Sequence, residues 1–125
     1  MSQGGLVKVF SVDDSEHVNK ALGLILAENK NTDWVGHAFS LSEAYTQIPL
    51  KKPDVVILDI HLKEGTSFGL LEHLMKEYPG ITVIILSNTA TEPYRKKCRE
   101  LGAQFFLDKS SEYEKISQII EGLSK

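Results

Sequence analysis

Five polar residues could together perform phosphate chemistry, and each lies at the end of a short apolar segment. They are an acid pair, a single acid, a hydroxyl and an amine: Asp13, Asp14, Asp59, Ser87 and Lys109. If the apolar segments are parallel strands of one open sheet, their carboxyl ends meet at one edge, where such sheets bind ligands. We therefore expect the five side chains to share a crevice.

Three carboxylates in one crevice need a cation, because unit charges about 4 Å apart interact by about 4 kcal/mol at an effective dielectric of about 20. Mg²⁺ suits this place, since it takes one or two carboxylates, keeps several waters and completes its shell with phosphate oxygens. Lys109 supplies a second cation and Ser87 a hydroxyl donor. The set predicts a phosphoryl site in which one carboxylate is the nucleophile and forms an acyl phosphate.

Each of these residues has a more ordinary explanation when it is taken alone. An acid after a strand commonly caps the next helix. A serine there is typical of a turn, and a lysine is typical of the surface. Their coincidence at four strand ends favours the shared site.

The elements that position these residues follow from the apolar pattern. Short β-branched segments predict strands at 6–12, 34–39, 54–58, 81–86 and 104–107. Five stretches with helical spacing alternate with them, the first carrying Val18, Leu22 and Leu26 on one side. This alternation indicates an α/β fold, with a five-stranded parallel sheet covered by helices on both faces.

Local signals predict where some helices begin and end. Ser40 with Glu43, and Ser111 with Glu114, each fit a capping box. Gly102 suits the left-handed residue just past a helix.

Composition excludes several classes of protein. Fourteen Lys and Arg against seventeen Asp and Glu give a net charge of −3, whereas a nucleic-acid binder needs a basic face. Cys98 is the only cysteine, so neither an internal disulfide nor a multi-cysteine zinc site can form. No signal-peptide pattern and no membrane-spanning apolar run occurs. We expect a cytoplasmic domain without direct nucleic-acid or membrane binding.

Four segments resemble the receiver domain of two-component response regulators: VFSVDDSEHV, VVILDIHL, VIILSNTA and GAQFFLDKS. The resemblance covers residues 6–123. It implies a doubly wound, flavodoxin-like sheet of order 2-1-3-4-5 flanked by five helices. We accordingly expect residues 1–5 to be a flexible lead-in and residues 6–125 to be the receiver domain.

The resemblance also implies a role for each acidic residue. Asp59 takes the position of the phosphoacceptor. Asp13 and Asp14 take the positions of the acids that hold Mg²⁺ together with Asp59, and the main-chain carbonyl of His61 takes the position of a further metal ligand.

Three other residues take positions that change on activation in the family. Ser87 would bind the phosphoryl group, Lys109 would pair with it, and Phe106 is the switch aromatic, which would rotate inward as Ser87 moves. Two departures fall in the loop after the phosphoacceptor. Lys63 stands where Pro is common and Ser67 where Gly is frequent, so we expect altered loop stiffness with the chemistry intact.

The implied function is a phosphorylation-activated switch. The phosphoryl group would come from a sensor histidine kinase or a histidine phosphotransfer protein, and its arrival would shift the face built from helix four, strand five and helix five. The downstream partner would be another protein or an appended output domain, with a phosphorylation-dependent dimer. We do not expect an enzyme, beyond slow self-phosphorylation from small donors and autodephosphorylation.

Two alternatives stay open. A receiver-like binding module that is never phosphorylated usually lacks the acceptor, an acid or the lysine, all of which are present here. A small Mg²⁺-dependent phosphatase of the haloacid dehalogenase type carries its nucleophile after the first strand as D-x-D. The order Asp13-Asp14-Ser15, with the solitary acid after the third strand, disfavours that class.

Overall fold

The computed structural model describes residues 6–123, in which five parallel strands form one sheet with helices on both faces. The elements are β1 (Val7–Val12), α1 (Glu16–Ala27), β2 (Thr32–Ala38), α2 (Leu41–Lys51), β3 (Val55–Leu58), β4 (His61–Leu62), β5 (Gly65–Thr66), α3 (Phe68–Glu77), β6 (Thr82–Ser87), α4 (Glu92–Glu100), β7 (Phe105–Asp108) and α5 (Lys115–Gly122). The strand order is β2-β1-β3-β6-β7, which is 2-1-3-4-5 when this sheet's strands are numbered alone. The predicted fold class is confirmed, whereas the predicted lead-in at 1–5 lies outside the described residues.

The central strand β3 is buried on both faces, which explains its uninterrupted apolar sequence. Because successive side chains of a strand point to opposite faces, Val56 and Leu58 enter one core and Val55 and Ile57 the other. Helices α2, α3 and α4 cover the first core, and α1 and α5 cover the second. Within residues 6–123, no helix combines the length and apolar character needed to cross a membrane.

Main-chain bonds bring the strand ends to one edge. The Asp59 N–H donates to the carbonyl of Val12, the residue before Asp13, at 2.9 Å. The Lys109 N–H donates to the Ser87 carbonyl, also at 2.9 Å. The parallel register therefore places the predicted polar residues side by side.

A short hairpin that the sequence pattern did not predict follows β3. Strands β4 and β5 pair antiparallel around Lys63 and Glu64, and Gly65 has a φ of 133° that disfavours any residue with a Cβ. The Glu64 carboxylate accepts the Leu41 N–H at the start of α2. The hairpin thus ties the loop after Asp59 to a neighbouring helix.

Two of the three predicted helix-end signals are confirmed. Ser40 is the N-cap of α2, and its Oγ accepts the Glu43 N–H at 3.2 Å, as a capping box requires, whereas the Glu43 carboxylate accepts the N–H of Phe39, one residue before the cap, at 3.1 Å. Gly102 has a φ of 108° just past α4, and a Cβ there would lie 2.8 Å from Met75 Cγ.

The predicted capping box at Ser111 and Glu114 is wrong. Helix α5 begins at Lys115, and Glu114 makes no side-chain capping bond. The physical reason is a competing turn, because the Glu112 carboxylate accepts the Asp108 N–H at 2.8 Å.

Candidate functional site

The three predicted acids form a cluster at the carboxyl edge of the sheet. Asp13, Asp14 and Asp59 each offer a carboxylate oxygen, and these oxygens lie within 4.8 Å of one another. Asp13 and Asp59 are 3% and 7% exposed, and Asp14 is half-buried. An all-oxygen, anionic donor set is what a hard divalent cation requires, so the residues present fit the predicted Mg²⁺.

Lys109 joins the two buried acids of this cluster. Its Nζ lies 2.7 Å from Asp13 Oδ2 and 3.0 Å from Asp59 Oδ2, and its side chain is 10% exposed. One ammonium among three carboxylates leaves the cleft strongly negative. The site is therefore electrostatically prepared for a further cation.

Burial and charge shift the acid–base properties of this pair. Burial raises the pKa of Asp59; the Lys109 ammonium opposes that rise, and the Asp13 charge adds to it. Burial alone would lower the pKa of Lys109, but its hydrogen bond to Asp13 and the charge of Asp59 outweigh burial and raise it. Lys109 consequently stays a cation at neutral pH.

The loop after β1 orients Asp13 without using it as a helix cap. Asp13 Oδ1 accepts the Ser15 N–H at 2.9 Å, and its other oxygen accepts from Lys109. Ser15 is the N-cap of α1, accepting the Val18 N–H at 3.2 Å. The capping explanation for the acid pair is therefore wrong, because serine performs that task.

Ser87 lies fully buried in the wall of the same cleft. Its Oγ accepts the Thr89 N–H at 3.0 Å, which holds the turn after β6. A hydroxyl can donate while it accepts, so Ser87 remains able to donate to a group bound in the cleft.

His61 borders the cleft, whereas Phe106 does not. The His61 N–H donates to Asp59 Oδ1 at 3.4 Å, and its exposed ring meets the Tyr94 ring edge-on at 5.3 Å between centroids. Phe106 belongs to β7 and is half-buried on the face of the sheet that α4 covers, with the Arg95 guanidinium 4.8 Å from its ring centroid. The structure thus brings together every predicted site residue except the switch aromatic.

The cleft itself has a volume of about 370 Å³. Its lining residues are Asp13, Asp14, Ser15, Val18, Asp59, His61, Ser87, Asn88, Thr89 and Lys109.

Two buried polar residues that support the site were not predicted. The Ser67 hydroxyl donates to the Asp59 carbonyl at 2.5 Å, and the Ser67 N–H donates to the Ile60 carbonyl at 2.7 Å. Asn19 lies on the buried side of α1 and bonds the loop that carries the acid pair. Two features of the sequence could have drawn attention to them. Ser67 stands where glycine is frequent in the resembled family, and Asn19 is a polar residue at a position of α1 that the helical spacing places among apolar ones.

Comparison with known families gives a single answer. Residues 9–121 match the family described as "Response regulator receiver domain". The sensory transduction protein LytT of Enterococcus faecalis is 33% identical over 119 residues, which are 94% of this chain and 48% of that protein. The DNA-binding transcriptional activator DevR/DosR of Mycobacterium tuberculosis is 36% identical over 87 residues, which are 70% of this chain and 40% of that protein. The chain therefore spans less than half the length of these two curated relatives.

Solved structures agree with the sequence relatives. A chain in the crystal structure of the CheX-CheY-BeF3-Mg+2 complex from Borrelia burgdorferi matches with a TM-score of 0.86 and 26% identity, covering 98% of this chain and 92% of that one. The response regulator domain of Thermotoga maritima CheB matches with a TM-score of 0.81 and 25% identity, covering 94% and 92%.

Proposed function

Because this chain belongs to the family of response regulator receiver domains, we propose that it is a switch activated by phosphorylation of Asp59 in the presence of Mg²⁺. The observation that carries the proposal is the meeting of three carboxylates with Lys109 in one cleft. Within the chain, residues 6–125 would constitute the receiver domain.

Asp59 is the proposed nucleophile. Its carboxylate would attack the phosphorus of a phosphohistidine, forming an O–P bond while the donor's N–P bond breaks and its electron pair returns to the imidazole. The donor would be a sensor histidine kinase or a histidine phosphotransfer protein. Asp13, Asp14, Asp59 and the His61 carbonyl would hold Mg²⁺, which when bound stabilises negative charge on the phosphoryl oxygens.

Two residues would bind the phosphoryl group once it is attached. Lys109, which now bonds Asp59 Oδ2, would pair with a phosphoryl oxygen. Ser87 would donate its hydroxyl to another, which would pull the turn between β6 and α4 toward the cleft. Phe106 would then rotate inward and alter the face of α4, β7 and α5, as the population shifts to the active state.

The output of the switch depends on what this face contacts. Receiver domains interact with histidine kinases and with output domains, and the two curated relatives are a transcriptional activator and a sensory transduction protein. We propose that the downstream partner is a protein or an appended output domain, with dimerisation on phosphorylation. The net charge of −3 favours protein over nucleic acid as the direct contact of this domain.

The proposal is tested by incubation with acetyl phosphate and Mg²⁺, followed by intact-mass measurement. We expect one phosphoryl group on the wild type and on Asp33→Asn, an exposed acid, and none on Asp59→Asn. A missing adduct under conditions that label a control receiver would favour an unphosphorylated binding module. Steady phosphate release from many different phosphate esters, far above one equivalent per protein, would favour a phosphatase.

A further inference from the structure

A buried polar network joins β1 to α1 at the loop that carries the acid pair. Asn19 is 3% exposed and Ser11 is fully buried. The Ser11 hydroxyl donates to Asn19 Oδ1 at 2.9 Å. The Asn19 amide nitrogen donates to the main-chain carbonyls of Asp13 at 3.1 Å and of Ser15 at 3.2 Å. Both amide hydrogens and the amide oxygen are therefore used.

These bonds fix the loop at both of its ends. Asp13 begins the connection between β1 and α1, and Ser15 ends it as the N-cap of the helix. Asn19 holds the carbonyl of each. Asp14 lies between these two anchored positions, so the backbone that presents its carboxylate to the cleft depends on them.

Folding alone does not require an amide at this position. Burying an amide is unfavourable unless it is hydrogen-bonded, and an apolar residue would cover the sheet equally well. Asn19 is next to Val18 and one turn before Leu22, both of which are buried in the apolar core. The amide is instead committed to the loop carbonyls.

We infer that Asn19 is a positioning residue for the carboxylates of Asp13 and Asp14 and so sets the Mg²⁺ affinity of the site. The inference rests on the proposed function, because it concerns the same acid cluster. Partners of metal ligands commonly change metal affinity by about 10- to 100-fold when they are removed. Asn19 acts less directly than such partners, because it bonds main-chain carbonyls of the loop that carries the ligands and not the ligand carboxylates.

The decisive variant is Asn19→Leu, measured by calorimetric titration with Mg²⁺ alone. We expect the Kd for Mg²⁺ to rise about tenfold. Ser11→Ala leaves both Asn19 donors in place, so its Kd should stay close to that of the wild type. The double variant Ser11→Ala/Asn19→Leu removes the hydroxyl that would be left without its acceptor. It should recover unfolding free energy but not Mg²⁺ affinity, and it replaces Asn19→Leu if the single variant does not fold.

A control separates positioning from a general loss of stability. Leu26→Val perturbs a buried residue at the other end of the same helix. Amide hydrogen exchange of Ser15, whose N–H bonds Asp13, should become faster in Asn19→Leu than in Leu26→Val. Equal exchange in the two variants, or an unchanged Kd in Asn19→Leu, would overturn the inference. If the wild type binds no Mg²⁺, the proposed function fails, and the exchange comparison still decides whether Asn19 holds the loop.

Discussion

Lys109 Nζ lies 2.7 Å from Asp13 Oδ2, although the two residues are 96 positions apart in the chain. Strands β3 and β6 lie between β1 and β7, so the lysine stem reaches across the carboxyl edge of the sheet. The same ammonium bonds Asp59 at 3.0 Å. The Lys109 ammonium therefore holds together the acids that follow β1 and β3, and the charge balance of the acid cluster depends on it.

Removal of this cation should weaken the fold without weakening Mg²⁺ binding. In Lys109→Ala the buried acids lose their partner, and breaking a buried pair costs on the order of 3 kcal/mol. The more negative cleft should bind Mg²⁺ at least as well as before. Urea unfolding with and without Mg²⁺ checks both points, and the ion should recover much of the lost stability. A large drop in Mg²⁺ affinity would instead mean that Lys109 orients the metal ligands.

The same variant should uncouple phosphorylation from the face around Phe106. Without Lys109 the phosphoryl group has no ammonium partner, so its attachment should no longer draw the turn that follows Ser87 toward the cleft. NMR signals of the Phe106 ring, with and without Mg²⁺ and BeF3⁻, which mimics the phosphoryl group, report the change. An undiminished shift in Lys109→Ala would contradict this coupling.

Replacement of the proposed phosphoacceptor should stabilise the protein near neutral pH. Burial raises the pKa of Asp59, Lys109 opposes the rise and Asp13 adds to it, so the folded pKa lies above the unfolded value of about 3.9. Between these two values the folded state binds more protons than the unfolded chain, and the free energy of unfolding falls as pH rises. Asp59→Asn removes the group that causes this fall in the free energy of unfolding, while Lys109 keeps its bond to Asp13.

The measurement is urea unfolding of both proteins without Mg²⁺ over a pH series. The stability gain of Asp59→Asn should be present near neutral pH and shrink as pH falls toward the unfolded pKa. Asp33→Asn, an exposed acid on β2, should show no such pH-dependent gain. A variant less stable than the wild type at neutral pH would show that the Lys109 bond outweighs the burial of the charge.

The fold and the residues of the cleft could be predicted because their signals are local. Apolar runs and helical spacing define each element within a few residues, and the parallel sheet then brings the strand ends to one edge. The ends of the elements are predicted less accurately. The sequence predicts the second strand at 34–39, whereas β2 spans Thr32–Ala38, because its pairing with β1 extends to Thr32 and stops at Ala38.

The supporting bonds could not be predicted because they depend on the backbone path. Ser67 reaches the Asp59 carbonyl only because the β4–β5 hairpin returns the chain to it, and two-residue strands carry too little pattern to detect. The predicted capping box at Ser111 and Glu114 is wrong for a similar reason. The turn that Glu112 makes with Asp108 delays the helix to Lys115.

The Ser67 hydroxyl should stabilise the loop that follows Asp59, the proposed phosphoacceptor. It is 2% exposed and bonds the Asp59 carbonyl, so Ser67→Ala leaves a buried acceptor unsatisfied at a cost of about 1–3 kcal/mol. Ser67→Gly, which restores the residue frequent in the family, should lose somewhat more because glycine gains freedom in the unfolded chain. Urea unfolding checks the order, with the exposed Ser111→Ala as the control. Equal stability of all four proteins would show that the bond contributes nothing.

Arg95 should restrain Phe106, the proposed switch aromatic, in the unphosphorylated protein. Its guanidinium lies 4.8 Å from the Phe106 ring centroid, and its nitrogens donate to the Ala90 carbonyl at 3.1 Å and the Phe106 carbonyl at 3.4 Å. A third contact places Nη2 3.6 Å from Glu112 Oε1. One side chain therefore connects the turn after Ser87, the aromatic and the turn after Lys109.

Arg95→Met keeps an apolar stem over the Phe106 ring but removes these polar bonds. In this variant we expect the Phe106 ring to exchange between rotamers more readily than in the wild type, even without phosphorylation. Addition of BeF3⁻ and Mg²⁺ should then change this exchange less than in the wild type, because part of the restraint is already absent. Side-chain NMR relaxation of Phe106 measures both. Arg99→Met is the matched control, since Arg99 is on the same helix with a largely exposed side chain that pairs with Glu92 at 3.6 Å. Phe106 dynamics that are equal in Arg95→Met, Arg99→Met and wild type would show that packing against the sheet, rather than Arg95, holds the aromatic in place.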